Sequence, residues 1–169
     1  KSYGGELMKT RAGRSKPRSL STRHSMHLVL RSSKAKGKWS FKLKKNEAKI
    51  SQIMDKFSVK YGIKIISMAN VGNHLHLQIK LKNRHAYKSF IRAVTGAITL
   101  AVTGASKNKP LKDMIKGKFW DYRPFTRIVQ SYKEVLSLRD YIQINRLEGF
   151  GYTKSQARFM LLAGRGDSS

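Results

Sequence analysis

The chain has 169 residues, of which 36 are Lys or Arg and 9 are Asp or Glu, so its formal net charge is +27. Such a chain repels itself unless a polyanion offsets the charge, and the absence of cysteine excludes disulfides and thiolate metal sites. No run of about 18 apolar residues is present to span a membrane. Nucleic acid is therefore the expected partner, and no membrane partner is expected.

The acidic residues are unevenly distributed along the chain. None occurs between Asp55 and Asp113, the interval that contains two of the four predicted strands. Enzymes that cut phosphodiesters with two metal ions need clustered carboxylates to hold those ions. Two-metal chemistry is therefore not expected, and any metal must be held by histidine, amide or carboxylate ligands or by the substrate.

Changes in apolar spacing divide the chain into strands and helices. In chain order we predict a strand at 26–31, a helix at 46–61 ended by Gly62, strands at 63–68 and 74–81, a helix at 86–102, a strand at 126–130, a helix at 132–146 that stops near Gly149, and a small C-terminal helix at 157–163. The order β-α-β-β-α-β-α predicts an α+β fold, a ferredoxin-like split β-α-β sandwich with an antiparallel sheet and an added C-terminal helix. We expect a basic arm at 1–25, a domain at 26–152 and a C-terminal helix or tail at 153–169.

Two segments carry side chains suited to chemistry. In the third strand, alternation puts His74 and His76 on one face, as two of the ligands that a metal site needs. On the third helix Tyr141 and Asn145 are four residues apart and project from one face. By themselves the histidines more often belong to a solvated sheet face, and Tyr141 alone is more often a half-buried helix tyrosine. If the helix packs over the histidines, two imidazoles, an amide oxygen and a phenol meet.

These segments together resemble a known family. His74-Leu75-His76 resembles the HUH motif, and the segment 141–145 resembles the tyrosine helix of single-tyrosine insertion-sequence transposases, in particular the REP-associated tyrosine transposases. The aromatic segment 119–125, Gly4-Gly5 and the basic stretch 17–22 are also similar to that group. The resemblance covers roughly residues 4–151. Gln143 replaces a common histidine and no proline follows Asn145, but neither departure removes a ligand.

The resemblance implies a metal-dependent single-strand DNA endonuclease and strand transferase, a transposase acting at hairpin-associated sites. It implies that His74, His76 and Asn145 hold one Mg²⁺ or Mn²⁺ and that Tyr141 attacks the scissile phosphate, leaving a 5′-phosphotyrosine and a free 3′-hydroxyl. Such an enzyme would act on DNA of the bacterial nucleoid, as a monomer or a homodimer. A cytoplasmic location also fits the lack of cysteine and of a signal-peptide pattern.

Further cationic and aromatic side chains are candidate contacts to single-stranded or hairpin DNA, because cations bind phosphates and aromatic rings stack on bases. They are Arg14, Lys16, Arg18, Arg23, Arg31, Trp120, Tyr122, Arg123 and Arg127. Trp120 and Tyr122 fit a core position equally well, and Phe125 fits the core better. We interpret His24, His27 and His85 as structural or phosphate-facing.

Two alternative functions remain open at this point. One is a non-catalytic module that binds single-stranded DNA or RNA and has kept the fold without the chemistry. The other is a nuclease of the replication-initiator or relaxase type, although these commonly carry a third histidine ligand or two tyrosines. The DNA target, the oligomeric state and whether the tyrosine helix completes its own subunit's site are also left open.

Overall fold

The computed structural model describes residues 19–121 and 123–166, and its strands and helices follow one another in the predicted order. The elements are β1 (Met26–Arg31), α1 (Lys44–Tyr61), β2 (Ile63–Asn70), β3 (His74–Leu81), α2 (Arg84–Thr103), β4 (Phe125–Ile128), α3 (Tyr132–Gly149) and α4 (Lys154–Gly166). Short 3₁₀ turns occur at Gly37–Trp39 and Leu111–Asp113. No helix in the described part of the chain has the length and apolar character needed to cross a bilayer.

The sheet separates a large apolar core from a smaller, partly polar one. Its order is β2-β3-β1-β4 and every neighbouring pair is antiparallel, which confirms the predicted ferredoxin-like α+β sandwich. α1 and α2 cover one face, where they form the main core with β1, β2 and β3. α3 covers the other face through a smaller core of Ala69, Val129, Leu138 and Ile142. The central strand β3 is therefore covered on both faces.

Local signals fix where the site-bearing helix begins. Ser131 is the N-cap of α3, and its hydroxyl accepts the Glu134 N–H at 3.2 Å. The Glu134 carboxylate in turn accepts the Gln130 N–H at 2.9 Å. This reciprocal capping satisfies backbone donors that the first helical turn leaves unpaired. The start of α3 is thereby tied closely to the end of β4.

Several element boundaries differ from the prediction by one to three residues, and those of β4 and α4 show the physical reasons. β4 spans Phe125–Ile128 rather than 126–130; the Val129 N–H still bonds to the Ser25 carbonyl at 2.9 Å, in the same register, but Ser25 precedes the first residue of β1, so the paired strands end there. α4 begins at Lys154 rather than 157, because the polar pair Thr153 and Gln156 caps it through bonds of 2.8 and 3.3 Å. Apolar spacing alone misses both signals, since each is made by backbone and polar groups.

Candidate active site

The two histidines of β3 lie side by side on the face that α3 covers. Their ring centroids are 4.7 Å apart and the rings are nearly perpendicular, at 80°. His76 is 3% exposed, whereas His74, the first residue of the strand, is half-buried. The strand alternation thus places both imidazoles as predicted, and the helix removes most of the solvent from above them.

A hydrogen bond sets the proton position on His74. Its Nδ1 lies 2.6 Å from the Oδ1 of the preceding residue, Asn73. An amide oxygen only accepts hydrogen bonds, so Nδ1 carries the proton and Nε2 retains its lone pair. This is the ring arrangement that metal-binding histidines typically use, with one nitrogen donating to an outer partner and the other facing the ion.

His76 is paired with a third histidine, His27 of β1. The Nδ1 of His76 lies 3.1 Å from the Nε2 of His27, and the two rings stack with centroids 5.3 Å apart. The outer nitrogen of His76, Nε2, is buried and has no hydrogen-bond partner among the described residues. Buried polar atoms without partners are uncommon in folded proteins, so this nitrogen is a candidate for binding a group from outside the chain.

All three site histidines are held neutral. Burial lowers the pKa of His27 to about 4 and that of His74 to about 4, with smaller effects from the Arg127 and Arg31 guanidinium groups respectively. Burial also lowers the pKa of His76 to about 2, and the neighbouring rings of His74 and His27 add to the shift. A neutral imidazole has the lone pair that a metal ion requires, so the site keeps its ligands available at neutral pH.

α3 brings Tyr141 to these rings and carries Asn145 one helical turn further on. The Tyr141 ring meets His76 edge-on with centroids 5.2 Å apart, and it lies 5.8 Å from the His27 ring. Asn145, one helical turn later, is 9% exposed and donates its Nδ2 to the Tyr141 backbone carbonyl at 2.7 Å. With the amide nitrogen engaged in the helix, Oδ1 is the acceptor that Asn145 offers to the site.

The Tyr141 hydroxyl is protonated at neutral pH. Burial raises its pKa, a side-chain hydrogen bond with Asn145 lowers it, and the Glu148 carboxylate raises it further, with a net upward shift. The phenol therefore reacts only if its proton is removed as the oxygen attacks. A cation close to the reacting group would favour that loss.

The donor set fits one divalent cation. It consists of the Nε2 atoms of His74 and His76 and the Oδ1 of Asn145, and the buried, unpartnered Nε2 of His76 is the structural feature that supports the fit. Within residues 19–121 and 123–166 no group of three or more His, Cys, Asp or Glu side chains is arranged to hold a metal. The protein ligands are thus neutral, and an ion held there would depend on water and a phosphate for its other ligands.

The sequence prediction missed the involvement of His27. In β1 the apolar residues Met26, Leu28 and Leu30 alternate with His27, and the first three lie in the main core. His27 consequently shares the face of Arg127, its partner in β4, and is 0% exposed. The same period-two rule that was applied to β3 would have placed His27 on the site face. Which strand lies beside β3, however, is known only from the sheet order.

Two predicted DNA contacts on this face already have acidic partners. Arg31 lies opposite His74 and its Nε is 3.5 Å from an Asp121 carboxylate oxygen. The Nη1 of Arg127 lies 3.7 Å from a carboxylate oxygen of Glu134. Both arginine side chains keep partial solvent exposure, 43% and 28%. These ion pairs orient the guanidinium groups at the border of the site and reduce their net charge.

Trp120 occupies a packed position. Its indole N–H is within hydrogen-bonding distance of the Thr95 carbonyl, at 3.0 Å, and of the Thr99 hydroxyl, at 2.9 Å. Its ring contacts Phe41 at 5.7 Å and Phe119 at 5.4 Å between centroids. Of the two interpretations of this tryptophan, these contacts support the core position.

The remaining candidate contacts are exposed or lie outside the described residues. Arg23 precedes β1 and Arg123 precedes β4, and both side chains are exposed. Four of the candidates, Arg14, Lys16, Arg18 and Tyr122, lie outside the described part of the chain.

Comparison with known proteins points to one family. The family model described as "Transposase IS200 like" matches residues 21–145, which include β1, both β3 histidines, Tyr141 and Asn145. Among curated proteins no sequence matches the chain significantly.

Two solved structures match this chain, the first of them at a TM-score that shows a similar fold. A REP-associated tyrosine transposase bound to a REP hairpin superimposes with a TM-score of 0.62 at 17% identity, covering 84% of this chain and 77% of that one. A transposase-like protein from Deinococcus radiodurans R1 gives a TM-score of 0.48 at 17% identity, covering 81% of this chain and 98% of that one. At these identities the similarity concerns the fold.

Proposed function

This chain belongs to the IS200-like transposase family, and from that premise we propose that it nicks and rejoins single-stranded DNA through a 5′-phosphotyrosine intermediate. The observation that carries the proposal is the meeting of Tyr141 with His76 at 5.2 Å between ring centroids, beneath one helix that also carries Asn145. We place the catalytic unit at residues 26–152. We assign Tyr141 as the nucleophile because its ring contacts that of His76.

We assign one Mg²⁺ or Mn²⁺ to His74, His76 and Asn145. When bound, such an ion supplies positive charge that polarises a phosphoryl oxygen and stabilises the charge that develops during attack. The protein's own part is to present two neutral imidazoles and one amide oxygen in a water-poor site. With neutral ligands the full charge of the cation remains available to the phosphate.

In the proposed step the Tyr141 oxygen forms a bond to phosphorus while the bond from phosphorus to the 3′ oxygen breaks. The phenolic proton leaves Tyr141 and, in the net reaction, ends on the 3′ oxygen of the released strand. The phosphodiester is thereby conserved as a phosphotyrosine linkage, so a 3′-hydroxyl can attack it in the reverse sense without ATP. Tyrosine suits this exchange because a phenolate is a better leaving group than an alkoxide.

We propose hairpin-bearing single-stranded DNA as the substrate. The REP-associated transposase of similar fold is bound to a REP hairpin, and the +27 charge of this chain favours an extended polyanion. Arg31 and Arg127 at the border of the site, together with the exposed Arg23 and Arg123, are the described side chains that we assign to phosphate contacts. Arg14, Lys16 and Arg18 of the basic arm are assigned the same role.

Covalent trapping tests the nucleophile. Labelled single-stranded DNA carrying a hairpin, incubated with the protein and Mn²⁺, should give a protein–DNA band that survives denaturation. Tyr141→Phe should abolish the band, because the phenyl ring keeps the packing and removes the attacking oxygen. The matched control is Tyr132→Phe at the exposed start of the same helix, which should retain the band.

If wild-type protein binds the DNA but forms no adduct with a library of hairpin substrates, the non-catalytic binding module becomes the better description. If Tyr141→Phe still forms the adduct, another residue is the nucleophile.

Metal binding tests the ligands independently of catalysis. Titration calorimetry with Mn²⁺ should give one site per chain, and His74→Ala or His76→Ala should weaken it by at least about tenfold, since each removes a direct ligand. His85→Ala, an exposed histidine at the start of α2, is the matched control and should leave the affinity unchanged. Undiminished affinity in both ligand variants would show that the ion binds elsewhere.

A further inference from the structure

His27 is a buried side chain that the proposed chemistry does not use. It lies in β1 with 0% exposure, and its ring is enclosed by Phe125 at 6.0 Å, Tyr141 at 5.8 Å and His76 at 5.3 Å between centroids. Its Nε2 lies 3.1 Å from the Nδ1 of His76. A buried histidine in contact with a candidate metal ligand invites the question of which ring holds the shared proton.

Only one proton fits between the two nitrogens, and its position decides what His76 can do. If His27 Nε2 donates, His76 Nδ1 is the acceptor, and the neutral His76 must carry its own proton on Nε2. That nitrogen then has no lone pair for a metal. If instead His76 Nδ1 donates to His27 Nε2, the outer Nε2 of His76 is bare and can act as a ligand.

We propose that His27 is a positioning residue for the metal ligand His76, accepting its Nδ1 proton and so selecting the tautomer whose Nε2 faces the site. The inference rests on the proposed function, because it takes His76 as a ligand. The stacked rings and their hydrogen bond also fix the orientation of the His76 plane. His27 thus does for His76 what the Asn73 amide does for His74.

The surroundings of His27 keep this relation intact. The ring is sealed from water, and the nearby Arg127 guanidinium further disfavours a positive charge on it. A charged His27 would have protons on both nitrogens and nothing to accept with. A neutral His27 offers one acceptor nitrogen, and in the proposed arrangement it is Nε2, the nitrogen directed at His76, so the proton of His27 is on Nδ1, which is buried and has no hydrogen-bond partner among the described residues.

Two variants of His27 separate hydrogen bonding from packing. His27→Gln retains a side-chain oxygen that can accept the His76 proton, whereas His27→Met has similar bulk and no comparable acceptor. We expect His27→Met to weaken Mn²⁺ binding about 10–100-fold, the usual effect of losing an outer-shell partner. His27→Gln should keep most of the wild-type affinity for Mn²⁺. Titration calorimetry of the full chain measures both.

Nitrogen-15 NMR of the histidine rings reports the proton position directly and does not depend on activity. In wild-type protein His76 should show a protonated Nδ1 and a bare Nε2. In His27→Met the proton should redistribute toward Nε2, and in His27→Gln the wild-type pattern should return. A packing role alone would not move this signature.

Three results would overturn the inference. A wild-type His76 protonated at Nε2 would do so without any variant, and therefore even if His27→Met failed to fold. Equal Mn²⁺ affinity and an unchanged His76 signature in His27→Met would also do so, while leaving the proposed function standing. Absence of Mn²⁺ binding in the wild-type protein would overturn the proposed function and this inference together.

Discussion

At the scale of single residues, burial controls the chemistry of the site more than any charged neighbour does. Desolvation is the largest cause of every resolved pKa shift here, lowering the pKa of His27, His74 and His76 and raising that of Tyr141. It favours the neutral form of each group. These four side chains are consequently uncharged at neutral pH in a protein of charge +27.

The buried histidines predict how stability depends on pH. The pKa of His27 is about 4 in the folded chain against 6.5 for the free side chain, so the unfolded chain binds more protons between these values. The free energy of unfolding should therefore fall as the pH is lowered through this window, by about 3 kcal/mol for His27 alone. Urea denaturation at a series of pH values, with EDTA present, measures the slope.

His27→Gln should flatten this dependence, because glutamine does not titrate. His74 and His76 remain and keep part of the slope. If the free energy of unfolding of His27→Gln fell with decreasing pH as steeply as that of the wild-type protein, the assignment of a neutral, buried His27 would be wrong.

At the scale of secondary-structure elements, the important contact is the docking of α3 onto the sheet. Its last residue, Gly149, lies so close to the Asn70 carbonyl of β2 that a Cβ there would sit 2.9 Å from that oxygen. The Lys42 ammonium also donates to the Gly149 carbonyl. These contacts pin the C-terminal end of α3 while the Ser131 cap holds its start. The helix thus lies over its own sheet, with Tyr141 against His76 of the same chain.

Gly149→Ala should loosen this docking. The added methyl group must push the helix end from the Asn70 backbone, at a cost of about 1–3 kcal/mol in unfolding free energy. Gly96→Ala in α2 is the matched control, because its Cβ would meet nothing within 4 Å. There the helix propensity of alanine should add about 0.5–1 kcal/mol. Chemical denaturation of both variants measures the difference. A Gly149→Ala protein as stable as the wild type would show that the end of α3 can move away from the Asn70 carbonyl at no cost in stability.

At the scale of the whole molecule, charge governs association with DNA. Because the chain has 36 basic and only 9 acidic residues, counterion release should make up a large part of the binding free energy. The exposed Arg123 lies within the aromatic segment 119–125, whereas the exposed Lys60 lies at the end of α1, on the sheet face opposite α3. We therefore expect Arg123 to contribute more to phosphate contacts than Lys60.

Affinity for hairpin DNA should fall steeply with salt. Proteins with six to ten phosphate contacts lose about 10³–10⁵-fold between about 50 and 200 mM salt. Arg123→Gln should reduce the slope of log affinity against log salt by about 0.7–0.9, the effect of one lost contact, and Lys60→Gln should change it less. Fluorescence anisotropy over a salt series gives the slopes. A shallow slope for the wild-type protein would contradict an extended basic contact surface.

The sequence by itself determined the order of the elements, the alternation of β3 and the spacing of Tyr141 and Asn145. Each of these is a local pattern, repeating within two to four residues, and such patterns follow from backbone geometry. The helix caps Ser131 and Thr153 are local too, but because they are polar, the spacing of apolar residues does not indicate them.

Only the tertiary structure decided which side chains meet. The pairing of β1 with β3 brings His27 to His76, 49 residues away, and the docking of α3 brings Tyr141 to the same ring. In the tertiary structure Trp120 occupies a packed position and Arg31 has an acidic partner, Asp121. These contacts depend on sheet order and helix placement, which are set by the packing of the whole chain. The histidine pair of β3 could thus be found in the sequence, whereas the partners that orient it could not.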